Sequence, residues 1–310
     1  MTHSAAKPVL LVALGGNALI RKGESGTIAE QFANLKVPAR QIARLARDFR
    51  LIVTHGNGPQ VGNLLLQQEC CEAVPRLPLE ILVAQTQGQI GYMIEATLDE
   101  ELSALGLGDR LLVSLISYVV VDAADPAFAT PTKPIGPVYS RDEAARLPWP
   151  IVETAQGCRR VVASPRPITI VEKREIRKLV ATGFIVICCG GGGIPVTRAG
   201  RGFHGIDAVI DKDLASAKLA EEVGVDLLVI ATDVPGAALN FGTQEERFLG
   251  RLTAAEAGRC LAEGHFPPGS MGPKVEAAMQ FARSGGRAVI CRLDDIERAV
   301  AGDAGTEVTG

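Results

Sequence analysis

Aromatic side chains are scarce in this chain, 4% of 310 residues with a single Trp, and charge of neither sign dominates, the formal net charge being −3. Single-stranded nucleic acid is gripped by stacking aromatics in a basic groove, and duplexes by a basic patch. Neither is provided, and no basic excess exists to hold an anionic membrane surface. No nucleic-acid and no membrane partner is expected. Long apolar runs are missing too. The longest, around 111–121, falls well short of the roughly 20 residues that a membrane-spanning helix needs. The run "PVLLVAL" after Lys7 is short for a signal peptide and leads into "GGNA", so it reads as a first strand. Seven cysteines make an odd number, with two adjacent pairs, Cys70-Cys71 and Cys188-Cys189, and no C-x-x-C. That excludes the spacing of zinc and thioredoxin-like sites and suits structural thiols in a reducing cytoplasm. A soluble, cytoplasmic chain is expected.

What the chain has is apolar residues in short runs. Hydrophobic residues make up 47% and charged residues 22%, the balance of a packed chain of one large or two medium domains. The runs 8–14 "PVLLVAL", 50–54 "RLIVT", 111–121 "LLVSLISYVVV", 184–189 "FIVICC", 226–231 "DLLVIA" and 286–291 "GRAVIC" are predicted strands. Helical patterns lie near 28–49, 59–71, 79–104, 172–182, 213–223, 253–263 and 273–284. Apolar strands alternating with helices predict an α/β fold, a mostly parallel sheet covered on both faces. Pro38 falls inside the first helical pattern and predicts a kink or break there. Residues 122–167 interrupt the alternation, holding eight of the eighteen prolines and the only Trp, Trp149. Because "VYSRDEAARLPWPIV" and "RRVVASP" carry buriable residues, the segment reads as a small protruding subdomain rather than a linker.

Four predicted strands end in special turns: "LGGNA" at 14–18, "HGNGPQVG" at 55–62, "CGGGGIPV" at 189–196 and "TDVPG" at 232–236. Ligands of open α/β sheets bind beyond the carboxyl ends of the strands. Glycine lets backbone N–H groups close around an anion. Gly58 suits a helix N-cap and Pro59 the first helical position, which leaves free amides facing such an anion. Two standard fingerprints fail. No G-x-x-x-x-G-K-[ST] occurs, and "GNGPQVG" spaces its glycines G-x-G-x-x-x-G, which excludes a P-loop and disfavours a dinucleotide oxidoreductase.

Without a P-loop lysine, other cations must answer a phosphate. Lys212 in "AVIDKDLASAKLA" and Lys274 in "PGSMGPKVEAAMQFA" both stand at helix starts, and Lys133 lies in the proline-rich "TPTKPIGP". A lone lysine is most often a solvated charge, and Asp211 or Asp213 beside Lys212 suits a structural ion pair equally well. Context favours a site, because a cation at a helix start opposes the helix dipole unless an anion shares the place.

Taken together, these segments resemble the carbamate kinases of the amino-acid kinase family. The matching motifs are "VALGGNAL" at 12–19, "VTHGNGPQVGNLLLQQE" at 53–69, "AQTQGQIGY" at 84–92, "PTKPIGP" at 131–137, "CGGGGIPV" at 189–196, "AVIDKDLAS" at 208–216 and "HFPPGSMGPKVEAA" at 265–278, with a similar tail "AGTEVTG" at 304–310. The resemblance implies a three-layer αβα sandwich around a mostly parallel eight-stranded sheet. It implies one domain over 1–310, with an acceptor half at 8–183 and a nucleotide half at 184–310. The subdomain at 122–169 would protrude from the first half. It also implies a homodimer, Mg²⁺ acting with ATP or ADP as the cofactor, ATP, carbamate and carbamoyl phosphate as small-molecule substrates, and reversible transfer of a phosphoryl group between ATP and carbamate, giving carbamoyl phosphate. In the family this often runs toward ATP at the end of fermentative arginine breakdown.

By residue, the resemblance implies that Lys212 and Lys274 stabilise the moving phosphoryl group, oriented by Asp213. Lys133 would supply a charge that other family members carry on a lysine where this chain has Ala13-Leu14. Gly15, Gly16, Asn17, Gly56, Asn57, Gly58, Gln60, Gly191 and Gly192 would line the acceptor and phosphoryl site. Asp233, Ser270 and Met271, with Lys212 and Lys274, would face the nucleotide. Many relatives carry an aromatic near Ala237-Ala238, so the adenine contacts are expected to differ. No residue is assigned as a metal ligand, because phosphate oxygens and water are expected to hold the Mg²⁺.

The chemistry fits these residue types. Carbamate is already an anion, so its oxygen attacks phosphorus without losing a proton. No general base is needed, and His55 is expected to be structural. Positioning and charge stabilisation carry the reaction. Cys188-Cys189 reads as apolar filler at a strand end. Two rivals stand beside this reading: a family kinase of another small carboxylate or phosphate, and a non-catalytic nucleotide-binding regulator of the same fold.

Overall fold

Alternation within the first strand sets the architecture. β1 (Val9–Leu14) is buried along its whole length. Leu10, Val12 and Leu14 join one apolar cluster, and Val9, Leu11 and Ala13 another. Side chains two apart share a face, so a strand apolar at every position needs cover on both sides. The computed structural model, which describes residues 7–71, 73–154, 157–267 and 269–310, supplies it. β1 lies inside an eight-stranded sheet with β2 (Arg50–His55), β3 (Leu112–Ser114), β4 (Ile185–Ile187), β5 (Leu227–Thr232), β6 (Arg251–Thr253), β7 (Arg287–Arg292) and β8 (Thr306–Thr309). The order is β6-β8-β7-β5-β1-β2-β4-β3. Every pairing is parallel except that of β7 with β8.

The α-helices of six or more residues among the described residues are α1 (Ile28–Leu45), α2 (Gly58–Glu69), α3 (Leu79–Ala104), α4 (Lys173–Ala181), α5 (Lys212–Val223), α6 (Ala254–Ala262), α7 (Met271–Arg283) and α8 (Ile296–Ala301). α1, α3 and α8 cover one face of the sheet, and α4, α5, α6 and α7 the other. This is the expected three-layer sandwich with eight mostly parallel strands. α2 stands apart and packs on α3 and on the proline-rich segment.

Register places the strand ends side by side. In the β1–β2 ladder Leu14 lies opposite His55, and in the β1–β5 ladder opposite Ala231. The Gly15 amide then donates to the Ala231 carbonyl at 3.0 Å, and the Gly56 amide to the Leu14 carbonyl at 3.0 Å. Three of the special turns therefore leave the sheet together, at its carboxyl edge.

Two expectations need correction, and three elements were missed. The run 111–121 is not one strand. It splits into β3 and a separate strand, Tyr118–Val120, which joins a small sheet with Ile194–Ala199, Gly202–Gly205 and Thr169–Ile170. Ser117 makes the corner between them. Its N–H donates to Gln87 Oε1 at 2.9 Å, its carbonyl accepts from Gln87 Nε2 at 3.2 Å and from the Ile194 amide at 2.9 Å, and its Oγ accepts from the Cys189 amide at 3.1 Å. Pro38 does not break α1, which runs unbroken from Ile28 to Leu45. Burial of Leu35, Ala39 and Ile42 against the sheet outweighs the one backbone bond lost there. Lastly, α8, β6 and β8 were not anticipated.

The proline-rich segment folds as an antiparallel sheet, with Gly157–Val162 between Lys133–Tyr139 and Ile151–Thr154. Pro134 and Pro137 sit on the edge strand, where a missing N–H costs no ladder bond.

Candidate active site

A cleft of about 400 Å³ opens over the three aligned turns, roofed by the proline-rich sheet. Its floor is Gly15, Gly16 and Asn17 from β1, Gly56, Asn57 and Gly58 from β2, and Gly191 from the tetraglycine turn. Glycine is required at 191. Its φ of +66° is left-handed, and a Cβ there would meet the Asn57 side-chain amide at 2.2 Å. The α2 start differs by one position from expectation. Asn57 is the N-cap and Gly58 the first helical residue. Asn57 does not cap with its side chain, but donates through Nδ2 to Thr86 Oγ1 at 2.8 Å.

The cations come from three different elements. Lys212 is the first residue of α5, and Asp211 is its N-cap, with Oδ1 accepting the Asp213 amide at 2.9 Å and the Leu214 amide at 3.4 Å. Asp213 bridges two lysines. Its Oδ1 accepts from Lys212 Nζ, and its Oδ2 from Lys274 Nζ at 3.0 Å. Lys274 is one turn into α7. Lys133 reaches down from the roof to Asp211 Oδ2 at 2.5 Å. Behind this cluster a buried hydroxyl pair, Thr54 Oγ1 and Ser216 Oγ at 2.7 Å, ties β2 to α5, and Ser216 Oγ also donates to the Lys212 carbonyl at 2.6 Å.

Burial sets the electrostatics. It raises the Asp213 carboxyl, but the two ammonium groups outweigh it and hold the carboxyl below the usual carboxylate range. For Lys212, burial and the neighbouring Lys274 charge outweigh Asp213, and its ammonium titrates below the ordinary lysine range. Lys274 is shifted the other way, because Asp213, Asp211 and Asp233 overcome its burial. His55, at the end of β2, is pushed down to about 4, first by burial. It is therefore neutral at neutral pH.

Asp233 and Ser270 line the cleft and also a neighbouring apolar pocket of about 150 Å³ that contains Ala238, Phe241, Phe266 and Met271. Where Ala237-Ala238 offer no ring, Phe241 and Phe266 supply aromatic surface. Two expected residues stand behind the cleft rather than on its wall. Gln60 is buried and donates to Gln31 Oε1 at 2.9 Å. Gly192 lies against the Ile210 carbonyl.

Several residues went unsingled in the sequence. Arg159, from the central roof strand, lines the cleft. Thr86 and Gln87 of α3 hold Asn57 and the Gly190 carbonyl. Polar residues inside "AQTQGQIGY", on a helix otherwise buried by apolar side chains, were the available signal.

No group of three or more His, Cys, Asp or Glu able to hold a metal occurs among the described residues. Asp211 and Asp213 are both engaged by lysines. Such a donor set is compatible with an ion carried in on phosphate oxygens.

The profile of the amino acid kinase family matches residues 8–292. A carbamate kinase of Pyrococcus horikoshii is 46% identical over 97% of this chain and 98% of its own length. The carbamate kinase-like protein YqeA of Escherichia coli is 44% identical over 96% and 98%. The solved carbamate kinase of Giardia lamblia bound to citric acid superposes with a TM-score of 0.92 at 37% identity, covering 98% of this chain and 99% of that one. The chain belongs to the amino acid kinase family, among its carbamate kinases and carbamate kinase-like proteins.

Proposed function

We propose that this chain is a carbamate kinase, a phosphotransferase with a carboxyl-type acceptor that moves a phosphoryl group reversibly between ATP and carbamate. The observation that carries the reading is the Lys212–Asp213–Lys274 bridge, set against the glycine turns at Gly15-Gly16 and Gly56–Gly58. A carbamate oxygen attacks the γ-phosphorus, the bond from phosphorus to the β,γ-bridging oxygen breaks, and ADP leaves with the electron pair. No proton moves, in keeping with a neutral, enclosed His55.

Lys212 and Lys274 stabilise charge on the equatorial oxygens, and Asp213 holds the two ammonium groups in register. Backbone amides of Gly16 and Gly58 face the acceptor and the moving group, with Lys133 closing from above. On this reading residues 8–183 carry the acceptor and 184–310 the nucleotide. The adenine enters the Phe241–Phe266 pocket, and Asp233, Ser270 and Met271 lie along the nucleotide. Mg²⁺, when bound with the nucleotide, would supply neutralisation of phosphate charge and help orient it. Asp233 is the cleft carboxylate free of a lysine salt bridge among the described residues, and so the one available to that ion's water shell.

A homodimer belongs to the same proposal. Leu111 and Ile116 flank the edge strand β3 and are exposed. A cytoplasmic setting is supported by seven free thiols. No helix among the described residues is long and apolar enough to cross a membrane.

One coupled assay tests the reading. ADP plus carbamoyl phosphate should give ATP, dependent on Mg²⁺. Binding of ADP without ATP formation would identify a regulator instead. Turnover only with acetyl-glutamate or another carboxylate would identify a different family kinase.

A further inference from the structure

Four cationic side chains line the cleft, and three of them are already answered by carboxylates. Lys133 is paired with Asp211, and Lys212 and Lys274 share Asp213. Arg159 is the exception: among the described residues no carboxylate pairs with it, and burial alone shifts its guanidinium, downward. It stays charged. Strand alternation explains its place. The next residue, Arg160, turns to the other side, where it pairs with Glu69 at 2.7 Å and stacks on Trp149 at 4.5 Å from the ring centroid.

Arg159 is also held still. Its Nη2 donates to the Gly136 carbonyl at 2.8 Å, and its Nε is shut from solvent with no acceptor. Gly136 is itself pressed on the Gly62 backbone of α2. A rigid, charged group whose donors are not all satisfied is costly unless a ligand completes them. Arg159 sits on the roof strand beside that of Lys133, and it lines both the cleft and an adjoining recess of about 890 Å³ that includes Asn17 and Pro59. It does not line the apolar pocket assigned to adenine.

We infer that Arg159 recognises the planar carboxylate-type group of the acceptor, an inference that rests on the carbamate kinase reading. The division of labour follows from shape. Lysine ammonium groups act as point charges and suit a moving phosphoryl group, whereas a planar guanidinium matches the two oxygens of a CO₂⁻ group. In the ATP-forming direction, the bond between phosphorus and the carbamoyl oxygen breaks and a bond from phosphorus to an ADP oxygen forms. The carbamoyl oxygen keeps the electron pair, so negative charge spreads over the CO₂ group as the bond lengthens. Arg159 meets that charge, and its contact is stronger in the transition state than in bound carbamoyl phosphate.

The test uses full-length wild type, Arg159→Ala and Arg159→Lys, assayed for ATP formation from ADP and carbamoyl phosphate, with ADP affinity measured by calorimetry on each. Arg159→Ala should lower kcat/KM for carbamoyl phosphate roughly ten- to hundredfold, the worth of charge-assisted hydrogen bonds. Its ADP Kd should stay within about twofold. Arg159→Lys should recover little, because it restores the charge without the planar fork. Unchanged kcat/KM in Arg159→Ala, an equal loss of ADP affinity, or full recovery in Arg159→Lys would each overturn the assignment. Wild type that makes no ATP would overturn the carbamate kinase reading and, with it, this inference.

Discussion

His55 tests whether the site works without a base. It is 2% exposed, with Nδ1 at 3.0 Å from the Gly56 carbonyl oxygen. Burial lowers its pKa from an ordinary 6.5 to about 4, with the Gly56 contact opposing the shift and the Lys212 charge adding to it. A depressed folded-state pKa has a definite sign in stability. Between pH 6.5 and about 4 the unfolded chain takes up a proton at His55 and the native chain does not. The stabilisation is complete above pH 6.5 and is lost as pH falls toward 4, at about 1.4 kcal/mol per pH unit and about 3 kcal/mol in all. Below pH 4 both states are protonated and this contribution stops changing.

Urea unfolding of wild type and His55→Asn at several pH values from 7 to 4 isolates the effect. Asn keeps an N–H donor near the Gly56 carbonyl but cannot titrate. The stability gap between the two proteins should narrow by about 3 kcal/mol on acidification. The variant should keep kcat within about tenfold, because no proton transfer is lost. Parallel stability curves would refute the pKa argument. A limb near pH 6.5 in the wild-type rate profile, absent from His55→Asn, would restore His55 as a base.

Other perturbations address the remaining parts of the site. Lys212→Ala and Lys274→Ala should each lower kcat at least about a hundredfold, as loss of a charge-stabilising donor does; near-normal turnover in either rejects its role. Lys133→Ala should change both kcat and the KM for carbamoyl phosphate, since Lys133 closes from the roof onto Asp211. A KM identical to wild type would remove that closing role. Gly62→Ala places a Cβ 1.9 Å from Gly136 Cα, backbone against backbone. It should cost about 1–3 kcal/mol by urea unfolding and raise the KM for carbamoyl phosphate while ADP affinity holds. Wild-type stability in this variant would contradict the close approach of α2 and the roof.

The sheet was legible because burial on both faces leaves a plain mark: each predicted strand at 8–14, 50–54, 184–189, 226–231 and 286–291 is present within one or two residues. The run 111–121 misled because apolarity reports burial, not which sheet does the burying. β8 is only four residues long, too short to show a period. The roof sheet was hidden by Pro134 and Pro137, which an edge strand tolerates and a central one does not. Within the site, the lysines and glycines were legible by residue type. Arg159 was not, since "RR" gives no hint of which arginine faces inward until strand phase is known. Gln60 shows the converse, a polar residue in a glycine-rich stretch that α2 turns into the interior to meet Gln31.

Ser117 has a mechanical consequence. One residue fastens α3, the tetraglycine turn and the corner where the main sheet hands the chain to the small one, using its amide, its carbonyl and its hydroxyl at once. A base bolted at such a point deforms little, so whatever opening and shutting accompanies a turnover must be borne by the proline-rich cover. Hydrogen exchange should find the amides of Ser117, Cys189 and Ile194 among the slowest in the molecule, while the strand beginning at Lys133 exchanges early.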